Sequence, residues 1–204
     1  MRGLKWLCVA MLGTAAMALA ADNTPPEGFT ALFNGKDLTN WATPETLKQA
    51  EEHWKVVDGV IEYDGKWRDL KTTKDYGDFE LWVDWKIPPG GDSGIYIRDH
   101  PQVQIWQNKV GSGGLYNNKK NPSKPLEVAD NPPGEWNTFY IKIVDDKVTV
   151  KLNGKLVVDN TTLENWPKYD SKLPAKGKIW LQHHGSKLWF KNIYIKELPA
   201  EEKK

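Results

Sequence analysis

Two histidines stand side by side in the segment Leu181-Gln182-His183-His184-Gly185. Neighbouring side chains of a strand point to opposite faces. If Ile179 and Leu181 face a core, His183 shares their side while Gln182 and His184 face away. Imidazoles placed in that way do not chelate one metal, and no H-x-H or HExxH spacing occurs. The pair therefore reads as one structural histidine and one proton carrier near neutral pH, His184. His53 and His100 sit in charged surroundings and read as exposed.

The acids and aromatics suggest a saccharide. Trp82 lies between Glu80 and Asp84 on the polar phase of its run, and Trp106 follows Gln102 and Gln104 at the same period. An indole stacks on the C–H face of a sugar while acids and amides take its hydroxyls. The same residues also suit a polar outer face with two half-exposed aromatics, and both readings stand. Trp41, Trp54, Trp85 and Trp180 fit core or edge positions. In Gly91-Asp92-Ser93-Gly94-Ile95-Tyr96-Ile97-Arg98, alternation puts Tyr96 and Arg98 on one face. An arginine among apolar residues needs a partner, either a ligand's carboxylate or hydroxyls or a structural ion pair.

Ordinary glycosidase chemistry is a weaker fit. Retaining enzymes hold two carboxyls about 5–5.5 Å apart and inverting ones about 6.5–9.5 Å. Residues four apart on one strand face, such as Glu80 and Asp84, are separated by about 13 Å at Cα. No E-x-D-x-E array, G-x-S-x-G elbow or phosphate-cradling loop is present. A carboxyl pair assembled from different strands stays open. No cofactor motif is evident, and these residues neither require nor exclude a divalent cation.

The elements that must position these groups are strands. Phe79, Leu81, Val83, Trp85 and Ile87 alternate with Glu80, Trp82, Asp84 and Lys86, as in a strand with one buried face. Phe139, Ile141 and Ile143, then Val148, Val150 and Leu152, repeat the period, and Asn153-Gly154 marks a hairpin. Residues 139–159 thus predict a three-stranded meander. Further strands are expected at 30–33, 54–63, 93–98, 102–107, 178–184 and 187–197. Thr43-Pro44-Glu45 before Leu47–Glu52 predicts the one helix. Many antiparallel strands with almost no helix mean an all-β sandwich or barrel. The stretch between Trp106 and Trp136, rich in Gly, Asn, Lys and Pro, reads as an ordered functional loop.

Composition narrows the setting. The chain has 204 residues, 28 Lys+Arg and 27 Asp+Glu, with no long basic run, so it carries no electrostatic footprint for nucleic acid. Met1–Ala20 has a basic start, an apolar stretch and Ala18-Leu19-Ala20 ahead of Ala21, the pattern of a cleaved leader too short to span a membrane. Residues 21–204 are then one exported domain with its core at about 28–198, periplasmic or secreted and not membrane-bound. The only Cys and all three Met lie in the leader, so the remainder has no sulfur and all but one of the eleven Trp.

These motifs also follow an order that resembles the 3-keto-disaccharide hydrolase domain family. The resemblance runs through Gly28-Phe29, Leu32-Phe33-Asn34-Gly35-Lys36-Asp37-Leu38, Trp41 and Trp54-Lys-Val-Val-Asp58-Gly59. It continues through Leu70-Lys-Thr72, Asp78-Phe79-Glu80-Leu81, Asp92-Ser93-Gly94-Ile95-Tyr-Ile-Arg98, Val103-Gln104-Ile105 and Gly114-Leu115-Tyr116. Gly134-Glu135-Trp136-Asn137, Asn153-Gly154, Leu181-Gln182-His183-His184-Gly185 and Phe190-Lys-Asn-Ile193 complete it. Each motif is weak alone; the shared order is specific.

The resemblance implies a concanavalin A-like jelly-roll β-sandwich of two antiparallel sheets. It also implies cleavage of glycosides oxidised at carbon 3 of the glucosyl unit, with an oxidised glucoside or oligosaccharide as substrate. The ketone acidifies the carbon-2 proton, a base removes it, the glycosidic oxygen leaves by β-elimination, and hydration completes a net hydrolysis. Carried onto this chain, the resemblance makes His184 or Glu80 the base and lets Arg98 and Gln104 bind hydroxyls or the enolate. Gln182, Tyr96 and Asp84 line the site, with Trp82 and Trp106 stacking. Typical members carry an acid just after the Gln-Ile pair, where Trp106 and Gln107 stand here. This reading expects Trp82, Arg98, Gln104 and His184 to share one hollow. A non-catalytic carbohydrate-binding module needs the same aromatic face without a base, and a laminarinase-like glycosidase needs a carboxyl pair.

Overall fold

The computed structural model describes residues 22–99 and 101–199, so the leader reading and His100 lie outside the described residues. In chain order the elements are β1 (Thr30–Ala31), α1 (Pro44–His53), β2 (Trp54–Val57), β3 (Val60–Tyr63), β4 (Leu70–Lys71), β5 (Phe79–Lys86) and β6 (Asp92–Tyr96). There follow β7 (Gln102–Trp106), β8 (Leu115–Tyr116), β9 (Asn137–Val144), β10 (Lys147–Leu152), β11 (Lys155–Thr162), β12 (Trp180–Leu181) and β13 (Leu188–Glu197).

Two antiparallel sheets enclose one apolar layer, as the resemblance implies and where the alternation left sandwich and barrel open. The large sheet runs β11-β10-β9-β5-β13-β3-β2, with β1 added on β13. The small sheet runs β4-β12-β6-β7-β8. Phe79, Leu81, Val83 and Trp85 of the large sheet are buried against Ile95, Val103, Ile105 and Leu181 of the small one. Burial of these apolar faces drives the two layers together.

Local signals account for the elements. Helix α1 starts after Thr43 with proline in its first turn. The β9–β10–β11 meander forms as expected, and Asn153 and Gly154 both take positive φ (51° and 81°) in its second turn. The segment 54–63, read as one strand, is a hairpin instead. Asp58 and Gly59 supply the two positive-φ residues of its turn (49° and 77°). The expected strand at 178–184 is paired only over Trp180–Leu181. Among the described residues no helix is long and apolar enough to cross a membrane.

The loop between β7 and β9 is tied down by its own polar groups. Ser112 Oγ accepts the Trp106 N–H at 2.9 Å, and Asp130 accepts the Ser112 N–H at 2.9 Å. Glu164 accepts the backbone N–H groups of Lys119, Lys120 and Asn121 at 2.7–2.9 Å. Burial raises the Glu164 carboxyl, but this cluster of donors overrides it and holds the group at about 2.

Candidate active site

The outer face of the small sheet is organised in three rows, read from the strand pairing. The first crosses all five strands as Lys71, Trp180, Tyr96, Gln102 and Tyr116. The second holds Gln104 opposite Gly94 and reaches Gln182, whose N–H donates to the Gly94 carbonyl at 2.9 Å. In the third, Trp106 pairs with Asp92, and Asp92 faces His184. Asp92, Gly94 and Tyr96 share this face because Ser93 and Ile95 turn into the core.

These side chains form a directed hydrogen-bond chain. Gln104 Nε2 donates to Asp92 Oδ1 at 2.8 Å, and Gln102 Nε2 donates to Gln104 Oε1 at 2.8 Å. A carboxylate only accepts, so Asp92 dictates which way the Gln104 amide faces, and Gln104 dictates Gln102 in turn. The second Asp92 oxygen lies 3.6 Å from His184 Nδ1. Burial pushes the Asp92 carboxyl up from its ordinary value, with His184 and the Gln104 amide opposing the shift. Gly94 makes the arrangement fit: a Cβ there would lie 2.4 Å from Gln102 Oε1.

On the neighbouring row Gln182 Nε2 donates to Tyr96 Oη at 2.8 Å. Burial, with Asp69 nearby, pushes the Tyr96 hydroxyl up to about 12, so it stays protonated at neutral pH. Tyr96 and Trp180 rings approach to 5.1 Å, and Lys71 Nζ sits 3.5 Å over the Trp180 ring. The amide oxygens of Gln102 and Gln182 are buried and, among the described residues, find no hydrogen-bond partner. A buried acceptor left unpaired costs about 1–3 kcal/mol, so the fold gives up stability to hold these two amides in place. Beside this face a cleft of about 310 Å³ opens from Gln104 and Trp106 toward Tyr116 and Tyr169.

Of the residues singled out by sequence, Gln104, Gln182, Tyr96, Trp106 and His184 come together here. Glu80, Trp82 and Asp84 do not. They stand on the outer face of the large sheet, with the core between them and His184. Glu80 pairs with Lys196 at 3.8 Å, and Asp84 accepts from Thr138 at 2.6 Å and Asn192 at 2.7 Å. Trp82 packs edge-on against Tyr140. The shared hollow expected for Trp82, Arg98, Gln104 and His184 is thus not formed by that set.

Arg98 is also elsewhere. Strand β6 ends at Tyr96, and Arg98 has φ of 51°, so the alternation that placed it beside Tyr96 stops short. Its guanidinium is buried in an ion pair with Asp78 and donates to the Gly77 and Asp145 carbonyls. This is the structural alternative left open above. His183 is held by Tyr63 Oη at 2.7 Å, and its N–H donates to Asp69 at 2.8 Å, which fits the structural role read for it.

Asp92, Gln102, Lys71 and Trp180 complete the face and were not singled out as site residues. Asp92 was legible in principle, since it shares the period-two phase of Tyr96. Trp180 is not in the core: Leu181 is, so the preceding side chain faces out. Among the described residues no three His, Asp or Glu side chains converge as a metal site would require.

Comparison with known proteins agrees with the two-sheet fold. A 3-keto-disaccharide hydrolase of Bacteroides thetaiotaomicron is 24% identical, with 84% of this chain and 79% of that protein aligned. Two crystal structures from Parabacteroides distasonis, each of a protein provisionally named a glycosyl hydrolase, are 30% identical to it. They superpose with TM-scores of 0.67, over 88% of this chain and all of the other, and 0.70, over 85% of each. The model of the 3-keto-alpha-glucoside-1,2-lyase-like domain matches residues 28–196, so the chain belongs to that carbohydrate-acting family.

Proposed function

We propose that this protein cleaves 3-keto-glucosides by abstracting the carbon-2 proton and expelling the glycosidic oxygen. The observation that carries the reading is the His184–Asp92–Gln104 chain on a sheet face lined by buried amides. Asp92 faces Nδ1 of His184, which favours the tautomer with Nδ1 protonated and leaves Nε2 as the free base. That nitrogen takes the proton from carbon 2. The electron pair of the broken C–H bond moves toward the carbon-3 carbonyl, giving an enolate.

The enolate then forms the C1–C2 double bond as the C1–O bond breaks, and the departing oxygen leaves as an anion that takes up a proton. Addition of water at C1 completes a net hydrolysis. The protonated Tyr96 hydroxyl and Lys71 stand two rows from Asp92 and place donors and positive charge on the same face, suited to the oxygens of a bound sugar. The half-exposed Trp106 indole suits a sugar face. This chemistry needs no pair of glycosidase carboxylates. No step calls for a cofactor, and assays with and without a chelator test for a divalent cation.

The test is release of a chromophore from a 3-keto-glucoside beside the unoxidised glucoside. Release from the keto compound only, lost in His184→Ala, is the expected result. Equal release from both overturns the reading in favour of an ordinary glycosidase. Binding of glucosides with no release from either would make the protein a binding module.

A further inference from the structure

We propose that the cleft beside Trp106 receives the leaving group of the glycoside, and that this group is aromatic rather than a second sugar. The inference rests on the elimination proposed at His184 and adds the class of substrate. Its first support is position. The cleft begins at Gln104 and Trp106. Gln104 is bonded to Asp92, and Trp106 lies opposite Asp92 on the adjacent strand, about 5 Å away. A group attached to a ring over His184 and Asp92 enters the cleft without crossing another element.

The second support is that the cleft is built into the loop. Gly114 donates no side chain to it, and a Cβ there would lie 2.4 Å from the Ser123 carbonyl, so glycine lets residues 123–125 close one wall. The Gly114 carbonyl accepts the Gln104 N–H at 2.9 Å, which fixes that wall to strand β7. The volume of about 310 Å³ stands at the lower end of small-molecule sites, which run from about 300 to 1,000 Å³.

The third support is chemical, and it favours an arene over a sugar. A sugar needs directed acceptors and donors. Three of the polar side chains along the cleft, Gln104, Asn118 and Tyr169, already have partners within the protein. Gln104 is engaged at both ends of its amide. Asn118 donates to the Pro122 and Thr162 carbonyls and accepts the Glu164 N–H. Tyr169 Oη donates to the Asn117 carbonyl at 2.9 Å. Among the described residues no carboxylate lines the cleft. What it presents is the π surface of Trp106, Tyr116 and Tyr169 with two cations, Lys119 and Lys124, the former 4.0 Å over the Tyr169 ring. Aromatic walls favour a stacked arene, and nearby ammonium groups favour a phenol that departs as its anion.

The experiment has a binding arm and a turnover arm. Calorimetry compares methyl glucoside, 4-nitrophenyl glucoside and a glucosyl disaccharide of the same anomer, none of them oxidised. The wild type is expected to bind the aryl glucoside about ten-fold more tightly than the other two, and Tyr116→Ala to bring that preference within about two-fold. In the turnover arm, the ratio of Tyr116→Ala to wild-type kcat/KM is taken for each 3-keto-glucoside, which cancels the intrinsic reactivity of each leaving group. That ratio is expected to fall about ten-fold further for the aryl substrate than for the methyl one. As a second variant, Lys119→Gln is expected to weaken product inhibition by 4-nitrophenolate. A disaccharide bound as tightly as the aryl glucoside overturns the proposal, as does a Tyr116→Ala loss equal for all substrates. Failure of the wild type to cleave any keto-glucoside sinks the elimination chemistry instead, and the binding arm then judges the cleft by itself.

Discussion

Gln104 Nε2 donates to one oxygen of Asp92 at 2.8 Å, leaving the other oxygen 3.6 Å from His184 Nδ1. One amide thus orients one carboxylate toward one imidazole. The chain extends to Gln102 and is accommodated by the missing side chain of Gly94.

Asp92→Asn keeps the shape of that side chain and removes its charge. Loss of the orienting anion in a comparable His–Asp pair costs about 10⁴ in turnover, so a fall of about 10²–10⁴ in kcat/KM on a keto-glucoside is expected. Asp92 is raised above the ordinary carboxylate value by burial, so activity should climb with pH as it ionises, along an acid limb above that value. A pH profile of kcat/KM locates the limb; a two-fold effect of the substitution would remove Asp92 from the mechanism.

Gly94→Ala separates positioning from folding. The added Cβ meets the end of the flexible Gln102 side chain at 2.4 Å, which can swing away, and the Val103 carbonyl at 3.1 Å. A modest loss of about 1–3 kcal/mol in stability is expected. Displaced Gln102 no longer holds Gln104, so kcat/KM should fall about ten-fold or more while the far-UV circular dichroism stays unchanged. Unaltered kcat/KM would show that the amide chain is idle.

Trp82 and Trp106 are equally exposed, at 38%, yet stand on opposite sheets. Trp106→Ala should raise KM about ten-fold through lost stacking, with a smaller effect on kcat. Trp82→Ala and Glu80→Gln should leave both parameters within about two-fold. Steady-state kinetics on the three variants decides which outer face the substrate meets.

Glu164 binds the loop that walls the cleft. Its carboxyl falls from 4.5 in the unfolded chain to about 2 in the folded one. A depressed acid stabilises the fold above its unfolded value and loses that contribution as pH falls through the folded one. Glu164→Ala should therefore lower Tm by roughly 5 °C at neutral pH. The gap between variant and wild type should narrow from about pH 4.5 down to about pH 2, which thermal melts across that range would record.

The sequence by itself determined the strands and, within each, which residues share a side. Gln104 with Trp106 was legible because period two is enforced by the backbone of a single strand, whereas Gln182 and His184 come to one side although their strand ends at Leu181. The same rule misled at Arg98, where the chain leaves the extended conformation, and left Asp58-Gly59 unread as a turn. Only the tertiary structure decided that Trp82 and Glu80 turn away from His184. Strand β5 pairs with β9 and with β13, more than a hundred residues distant, whereas β6 and β7 join β12 in the other layer. Alternation is a local property of the chain; membership of a sheet is set by hydrogen bonds between segments far apart, which the periodicity of either segment does not contain.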